Sequence, residues 1–196
     1  MTEDGPRTAT GGKRGVRTAL LTARAQSTTP TVSVVASDYF GPYARNAHAG
    51  ERMVPVVLAG RTVRVLGSAD QPHSFTYLPD YARAMVAAAE TPATWGSVLH
   101  APTGPALTQR ELVHAFADAA GVRPRVGTLP SWLLRAGAVV PGPMRELAEM
   151  LYQFTAPFVM DSRRTEALLG LSPTPREDAV RATVAWWRQE QAMALA

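Results

Sequence analysis

Val32–Pro42 reads VSVVASDYFGP. Val32, Val34 and Val35, together with Ser33 and Ala36, make a short β-branched run that is almost wholly apolar. That is the pattern of a parallel strand covered by helices on both faces. Gly41 and Pro42 stop it. In open α/β sheets ligands lie just beyond the carboxyl ends of the strands, so Ser37, Asp38 and Tyr39 are expected to emerge where a ligand binds. The same residues also suit a plain turn, with Asp38 and Gly41-Pro42 reversing the chain, and the segment by itself leaves both readings open.

Upstream of this run, residues 1–12 are polar and glycine-rich and read as a flexible start. From Lys13 to Gln26 the apolar positions Val16, Ala19, Leu20 and Ala23 recur at helical spacing. A loop containing Pro30 then leads into the strand. A helix followed by a strand, with no strand before it, leaves a parallel strand short of partners, so the chain is expected to begin partway through a fold.

Downstream, Tyr43–Gly50 is polar, ends in glycine and reads as a loop over the site. Residues 51–58 suit a short helix ending at Gly60, with Pro55 limiting where it starts. Thr62–Leu66 alternates as a half-exposed strand, Ser74–Leu78 and Ser97–Ala101 read as further strands, and Asp80 stands where an N-cap would open a helix over 81–90.

The remaining segments are mainly helical. Thr108-Gln-Arg-Glu111 is a capping box opening a helix that Gly121 closes, with Leu112, Phe116 and Ala119 on one face. Ser131 suits the cap of a helix over 131–140. Pro143 suits the first turn of one that buries Leu147, Met150, Leu151 and Phe154. Asp161 or Ser162 begins a short helix ending at Gly170. Thr174-Pro-Arg-Glu177 reads as a second capping box for a last helix with Val180, Val184 and Trp187 on one face. The expected fold is α/β: a partial, Rossmann-like parallel sheet holding late strands only, with a mostly helical carboxy-terminal lobe. Three regions follow, 1–12, 13–105 with inserted lobe segments, and 106–196.

At 196 residues the chain can bury about 70% of its unfolded surface. It has no long apolar run and no apolar segment near its start, so neither a membrane span nor a secretory leader is expected. The absence of cysteine excludes disulfides and thiolate metal sites and fits a cytoplasmic protein. The formal charge is +4, but the 20 basic residues, of which only Lys13 is lysine, are scattered singly without aromatic interleaving. Nucleic acid is therefore not an expected partner. His48, His100 and His114 show no metal-ligand spacing and read as structural or surface residues, and no metal is expected.

Four segments in order, Ser37–Pro42 (SDYFGP), His73–Met85 (HSFTYLPDYARAM), His100–Gly104 (HAPTG) and Asp161–Pro175 (DSRRTEALLGLSPTP), resemble the carboxy-terminal half of the NAD-dependent epimerase/dehydratase family. These are the extended and atypical short-chain dehydrogenase/reductases. The resemblance implies a Rossmann domain binding NAD or NADP, a smaller carboxy-terminal substrate lobe, and a small-molecule substrate. It also marks what this sequence lacks. There is no GxGxxG for a pyrophosphate turn, and the first βα units of the family have no counterpart, as if the chain were shortened at its N-terminus.

The family's Tyr-x-x-x-Lys pair works by acid–base exchange during hydride transfer. Lys13 falls close to the lysine position, but Ala9 stands at about the tyrosine position. The resemblance further places Ser37 and Tyr39 beside the cofactor and Asp38 and His73 beside the substrate. Val35 and His73 each stand where many relatives carry Arg. At His73 that guanidinium grips phosphate in nucleotide-sugar enzymes, and an imidazole replaces it poorly. Two readings follow: a portion of an oxidoreductase that holds no NAD(P) by itself, or a non-catalytic module that pairs through its open sheet edge with a second copy or another chain.

Overall fold

The computed structural model describes residues 2, 12–129 and 151–195, with the side chains of 12–18 and 195 excepted. Among these residues six short strands pair as three parallel couples. β1 (Ser33–Val35) runs beside β5 (Val98–His100), with Val34 opposite Leu99. β2 (Asp38–Phe40) runs beside β4 (Phe75–Tyr77), and β3 (Val63–Leu66) beside β6 (Val126–Leu129). The helices are α1 (Gly12–Gln26), α2 (Val54–Leu58), α3 (Leu78–Glu90), α4 (Gln109–Ala120), α5 (Tyr152–Thr155), α6 (Arg163–Leu169) and α7 (Arg176–Leu195). This is the α/β class, with parallel pairing throughout the described strands.

The core forms where α4 packs between α2 and α7. Leu112, Val113 and Phe116 bring the buried stripe of α4 against Val54 and Val57 of α2, Val63 and Val65 of β3, and Val180, Val184 and Trp187 of α7. Phe40 of β2 meets Phe116 edge-on at 5.9 Å, which joins the β2–β4 couple to this core. Each such side chain contributes about 1.5–3 kcal/mol by leaving water. The ends of α4 follow their local chemistry. Thr108 accepts from the Glu111 amide while Glu111 accepts from the Thr108 amide, and Gly121 closes the helix at φ +66°. The carboxyl of Glu111 is held below the usual range by those bonds from Thr108.

Several expectations are corrected. Asp38–Phe40 is not a loop leaving β1 but a second strand, because a break at Ala36–Ser37 lets the chain switch partners from β5 to β4. Helix α3 starts at Leu78, since Pro79 fits a first turn, so Asp80 lies inside that turn and does not cap it. The second capping box does not form: Thr174 spends its hydroxyl and its amide on Asp80. Val126–Leu129, in the region expected to be mostly helical, is a strand whose Gly127 and Thr128 disguise the pattern. Ala19, Leu20 and Ala23 of α1 are exposed, so their helical spacing marks no covered face among the described residues. The helices expected after Ser131 and Pro143 lie outside the described residues, apart from Leu151 and Phe154, which are buried. The start over 1–11, with Ala9, also lies outside them.

Close approach requires glycine at Gly50, where a Cβ would run into the Ala44 carbonyl, and at Gly67. Gly67 follows β3 at φ +65°, and a Cβ there would stand 2.7 Å from the Phe154 carbonyl oxygen. Because Ser68 donates its amide to that same carbonyl at 2.8 Å, the turn after β3 fixes where α5 and the Phe154 ring sit.

Candidate functional site

The carboxyl ends of β1 and β5 are joined to β4 by a relay of hydroxyls. Thr103 donates its hydroxyl to the Ala101 carbonyl at 2.9 Å, so its oxygen accepts from the Thr76 hydroxyl at 2.8 Å. The Thr76 oxygen in turn accepts the Ser37 amide at 3.2 Å. Ser162, just before α6, accepts the Thr103 amide at 3.1 Å. Ser37 is thus anchored by its backbone, while its own hydroxyl is buried and has no partner.

The next residue faces a histidine. Asp38 Oδ2 lies 2.8 Å from His73 Nε2, with the Asp38 side chain 15% exposed and the His73 side chain 2%. The separation is that of an ion pair, the direction lies off a hydrogen-bond axis, and neither atom has another partner. His73 is fixed from all sides. Its backbone exchanges bonds with Leu107 at 2.8 and 2.9 Å, and Nδ1 donates to the Gln153 carbonyl at 3.2 Å. Its ring is stacked with Phe154 at 5.0 Å and Phe158 at 5.3 Å. Local sequence explains the setting: β4 begins two residues later, with Phe75 opposite Asp38, so His73 is held at the strand's entry.

A second imidazole stands beside the first. His48 packs its ring 4.9 Å from Phe154, which therefore touches both histidines. His48 Nε2 lies 2.7 Å from Gln109 Oε1, and Gln109 Nε2 donates to the Leu66 and Ser68 carbonyls, each at 2.8 Å. Two carbonyls can only accept, so the amide orientation of Gln109 is determined, Oε1 faces His48, and His48 Nε2 carries the hydrogen. His48 Nδ1 is then a bare acceptor, buried and without a partner. Burial holds the His48 imidazole below the ordinary histidine value, against a smaller opposing pull from the Gln109 bond and from Asp38.

The structure therefore brings Asp38 and His73 together and sets Ser37 beside them. It leaves Tyr39 41% exposed, because Tyr39 alternates away from the face that carries Asp38 and Phe40. The backbone of Lys13 lies in the first turn of α1, and its side chain is outside the described residues. His48 is the site residue that sequence reasoning missed, as nothing in NAHAG distinguishes it from a surface histidine. His100 Nδ1 donates to the Asp161 carbonyl, 2.8 Å away, and His114 is exposed on α4. Among the described residues no cluster of three or more His, Asp and Glu could hold a metal ion. Nor is any described helix long and apolar enough to cross a membrane.

A dinucleotide pyrophosphate does not fit the described helix ends. Such a group sits on a helix N-terminus that follows a strand. Asp80 occupies the first turn of α3, Glu111 that of α4, Glu166 that of α6, and Glu177 with Asp178 that of α7. Helices α1, α2 and α5 have no acidic residue in the first turn, but no described strand precedes α1, and α2 and α5 are only 5 and 4 residues long. A separate cavity of about 320 Å³, lined in part by Phe40, Tyr77, Leu107 and Pro173, does not include Asp38, His48 or His73.

The sequence profile of the NAD dependent epimerase/dehydratase family matches residues 12–98. No curated protein matches in sequence. Among solved structures, UDP-glucuronic acid 4-epimerase from Bacillus cereus in complex with NAD is 19% identical with a TM-score of 0.71, over 96% of this chain and 56% of that one. MoeE5 in complex with UDP-glucose and NAD is 21% identical with a TM-score of 0.75, over 97% and 60%. UDP-N-acetylglucosamine 4-epimerase from Methanobrevibacter ruminantium is 18% identical with a TM-score of 0.65, over 91% and 52%. The chain thus spans between 52% and 60% of the length of these structures. Family sequence over residues 12–98 and a shared Rossmann-like fold over nearly the whole chain establish the resemblance to the NAD-dependent epimerase/dehydratase family.

Proposed function

We propose that this chain is the substrate-side portion of an NAD(P)-dependent oxidoreductase of the epimerase/dehydratase kind, acting on a small molecule in the cytoplasm, and that by itself it neither holds NAD(P) nor turns substrate over. The observation that carries the reading is the Asp38–His73 contact, with Asp38 just beyond the carboxyl end of β1 and His73 at the entry of β4. It is a buried polar pair, and the segment just past a parallel strand is where ligands of such sheets sit. NAD or NADP is the cofactor on family grounds, and Ser37 and Tyr39 are the residues offered to it, with Asp38 and His73 offered to substrate. The missing glycine-rich turn and the acidic first turns of α3, α4, α6 and α7 support the second half of the proposal. Calorimetric titration of NADH and NADPH into the 196-residue chain is expected to give no saturable heat. Saturable binding of either would overturn it.

A second reading, a binding or oligomerisation module on the same fold, is favoured by one feature. Among the described residues β1 pairs on one side only, and Leu20 on the neighbouring α1 is 66% exposed. An open edge of this kind suits a second copy of the chain. Light scattering that finds a monomer at high concentration would remove this alternative.

A further inference from the structure

Five buried side-chain polar atoms among the described residues have no hydrogen-bond partner, and four of them, Ser37 Oγ, Asp38 Oδ2, His48 Nδ1 and His73 Nε2, belong to the site just described. Buried orphans are rare in native proteins, and a cluster of them calls for a group that is not part of the chain. The identity of that group is constrained by what the atoms can do. Gln109 fixes His48 as the Nε2–H form, so Nδ1 can only accept. The imidazole is held neutral near pH 7 by burial. Asp38 Oδ2 lies 2.8 Å from His73 Nε2 but off a hydrogen-bond axis, so it still lacks a hydrogen-bond partner, and a carboxylate oxygen accepts.

We propose that His48 Nδ1 and the Asp38 carboxylate form a two-acceptor subsite that binds a hydrogen-bond donor of the substrate, a hydroxyl or an ammonium group, and rejects phosphate. His73 serves as a positioning residue that fixes the carboxylate, and Gln109 as one that fixes the imidazole. An anion here would find one free donor, the Ser37 hydroxyl, set against a half-buried carboxylate and a lone pair, whereas a donor meets two acceptors. The inference rests on the substrate-site reading above and names the chemistry that site takes.

The test uses the full 196-residue chain labelled with ¹⁵N, read through the long-range proton–nitrogen signals of its 4 histidines, without cofactor or turnover. The free protein is expected to show a pyrrole-type Nε2 and a pyridine-type Nδ1 for His48. Methyl glucoside, which offers hydroxyls alone, and glucosamine, which adds an ammonium, distinguish the two donors. At least one should shift the His48 Nδ1 signal in a saturable way, and inorganic pyrophosphate should not. Asp38→Asn should weaken the effective probe by about tenfold, the share of a hydrogen bond to a charged group. The wild-type titration decides the matter even where that variant fails to fold. A protonated Nδ1 in the free chain, a response to pyrophosphate alone, or no response to either sugar, leaving a structural histidine only, would each overturn the proposal. Because no NAD(P) is present, such a failure is separate from a failure of the oxidoreductase reading, which the calorimetry addresses.

Discussion

Asp80 Oδ2 accepts the Thr174 backbone N–H at 2.7 Å, and Asp80 Oδ1 accepts the Thr174 hydroxyl at the same distance. The Asp80 carboxylate is 2% exposed and also pairs with Arg83, so one buried side chain in α3 ties down the segment from which α7 departs. Asp80→Ala strips the partner from a part-buried amide and hydroxyl. We expect a loss of about 3 kcal/mol, the cost of charge-assisted bonds removed from one side only. Asp80→Asn should lose less, because it keeps an acceptor. Urea denaturation followed by tryptophan fluorescence would read both, since Trp187 lies buried on α7.

Gly67→Ala tests the link between the turn after β3 and the aromatic wall of the site. The new Cβ would fall 2.7 Å from a backbone oxygen of Phe154, at a φ of +65° that L side chains rarely adopt. We expect a loss of more than about 1 kcal/mol from the backbone conformation alone. Phe154 must also move, and with it the rings of His48 and His73 that it touches. A near-ultraviolet dichroism change together with a lower urea midpoint is the expected outcome. An unchanged midpoint would contradict the close approach.

Acid sensitivity should trace partly to His48. Its folded value is depressed below the ordinary 6.5 by burial, so the unfolded chain takes the proton first. The stability it contributes is complete above that ordinary value and is lost as pH falls from there through the folded value. Urea midpoints measured on both sides of this window should drop on the acid side. His48→Gln, which keeps a polar group facing Gln109, should flatten that limb. A wild-type and variant pair with parallel profiles would contradict the assignment.

The parts of this fold that were legible in the sequence are those in which one local rule dominates. Val34 and Val35 announce a strand, Thr108 and Glu111 announce a helix start, and Gly121 and Gly170 stand in the left-handed conformation that ends α4 and α6. Asp38 and His73, singled out by resemblance to a family, stand 2.8 Å apart. What was not legible depends on contacts distant in the chain. Thr174 has the pattern of a cap, yet Asp80, 94 residues away, takes its hydroxyl. Val126–Leu129 contains Gly127 and reads weakly as a strand until Val63–Leu66 pairs with it. His48 acquires its character from Gln109, whose own orientation is dictated by carbonyls at Leu66 and Ser68. No periodicity encodes such a chain of constraints.

Native-state hydrogen exchange at Val34 tests most directly whether β1 is one rung of a parallel sheet whose other side no described strand covers. Ser33 donates its amide to the Ser97 carbonyl at 3.1 Å, and the Val35 carbonyl accepts from Ala101 at 2.8 Å, so both face β5. Val34 faces the other way, and among the described residues its carbonyl accepts the Tyr81 hydroxyl, at 3.3 Å. The account predicts a slow amide at Ser33 and a fast one at Val34. Equal protection at both, in a chain shown by light scattering to be monomeric, would contradict it.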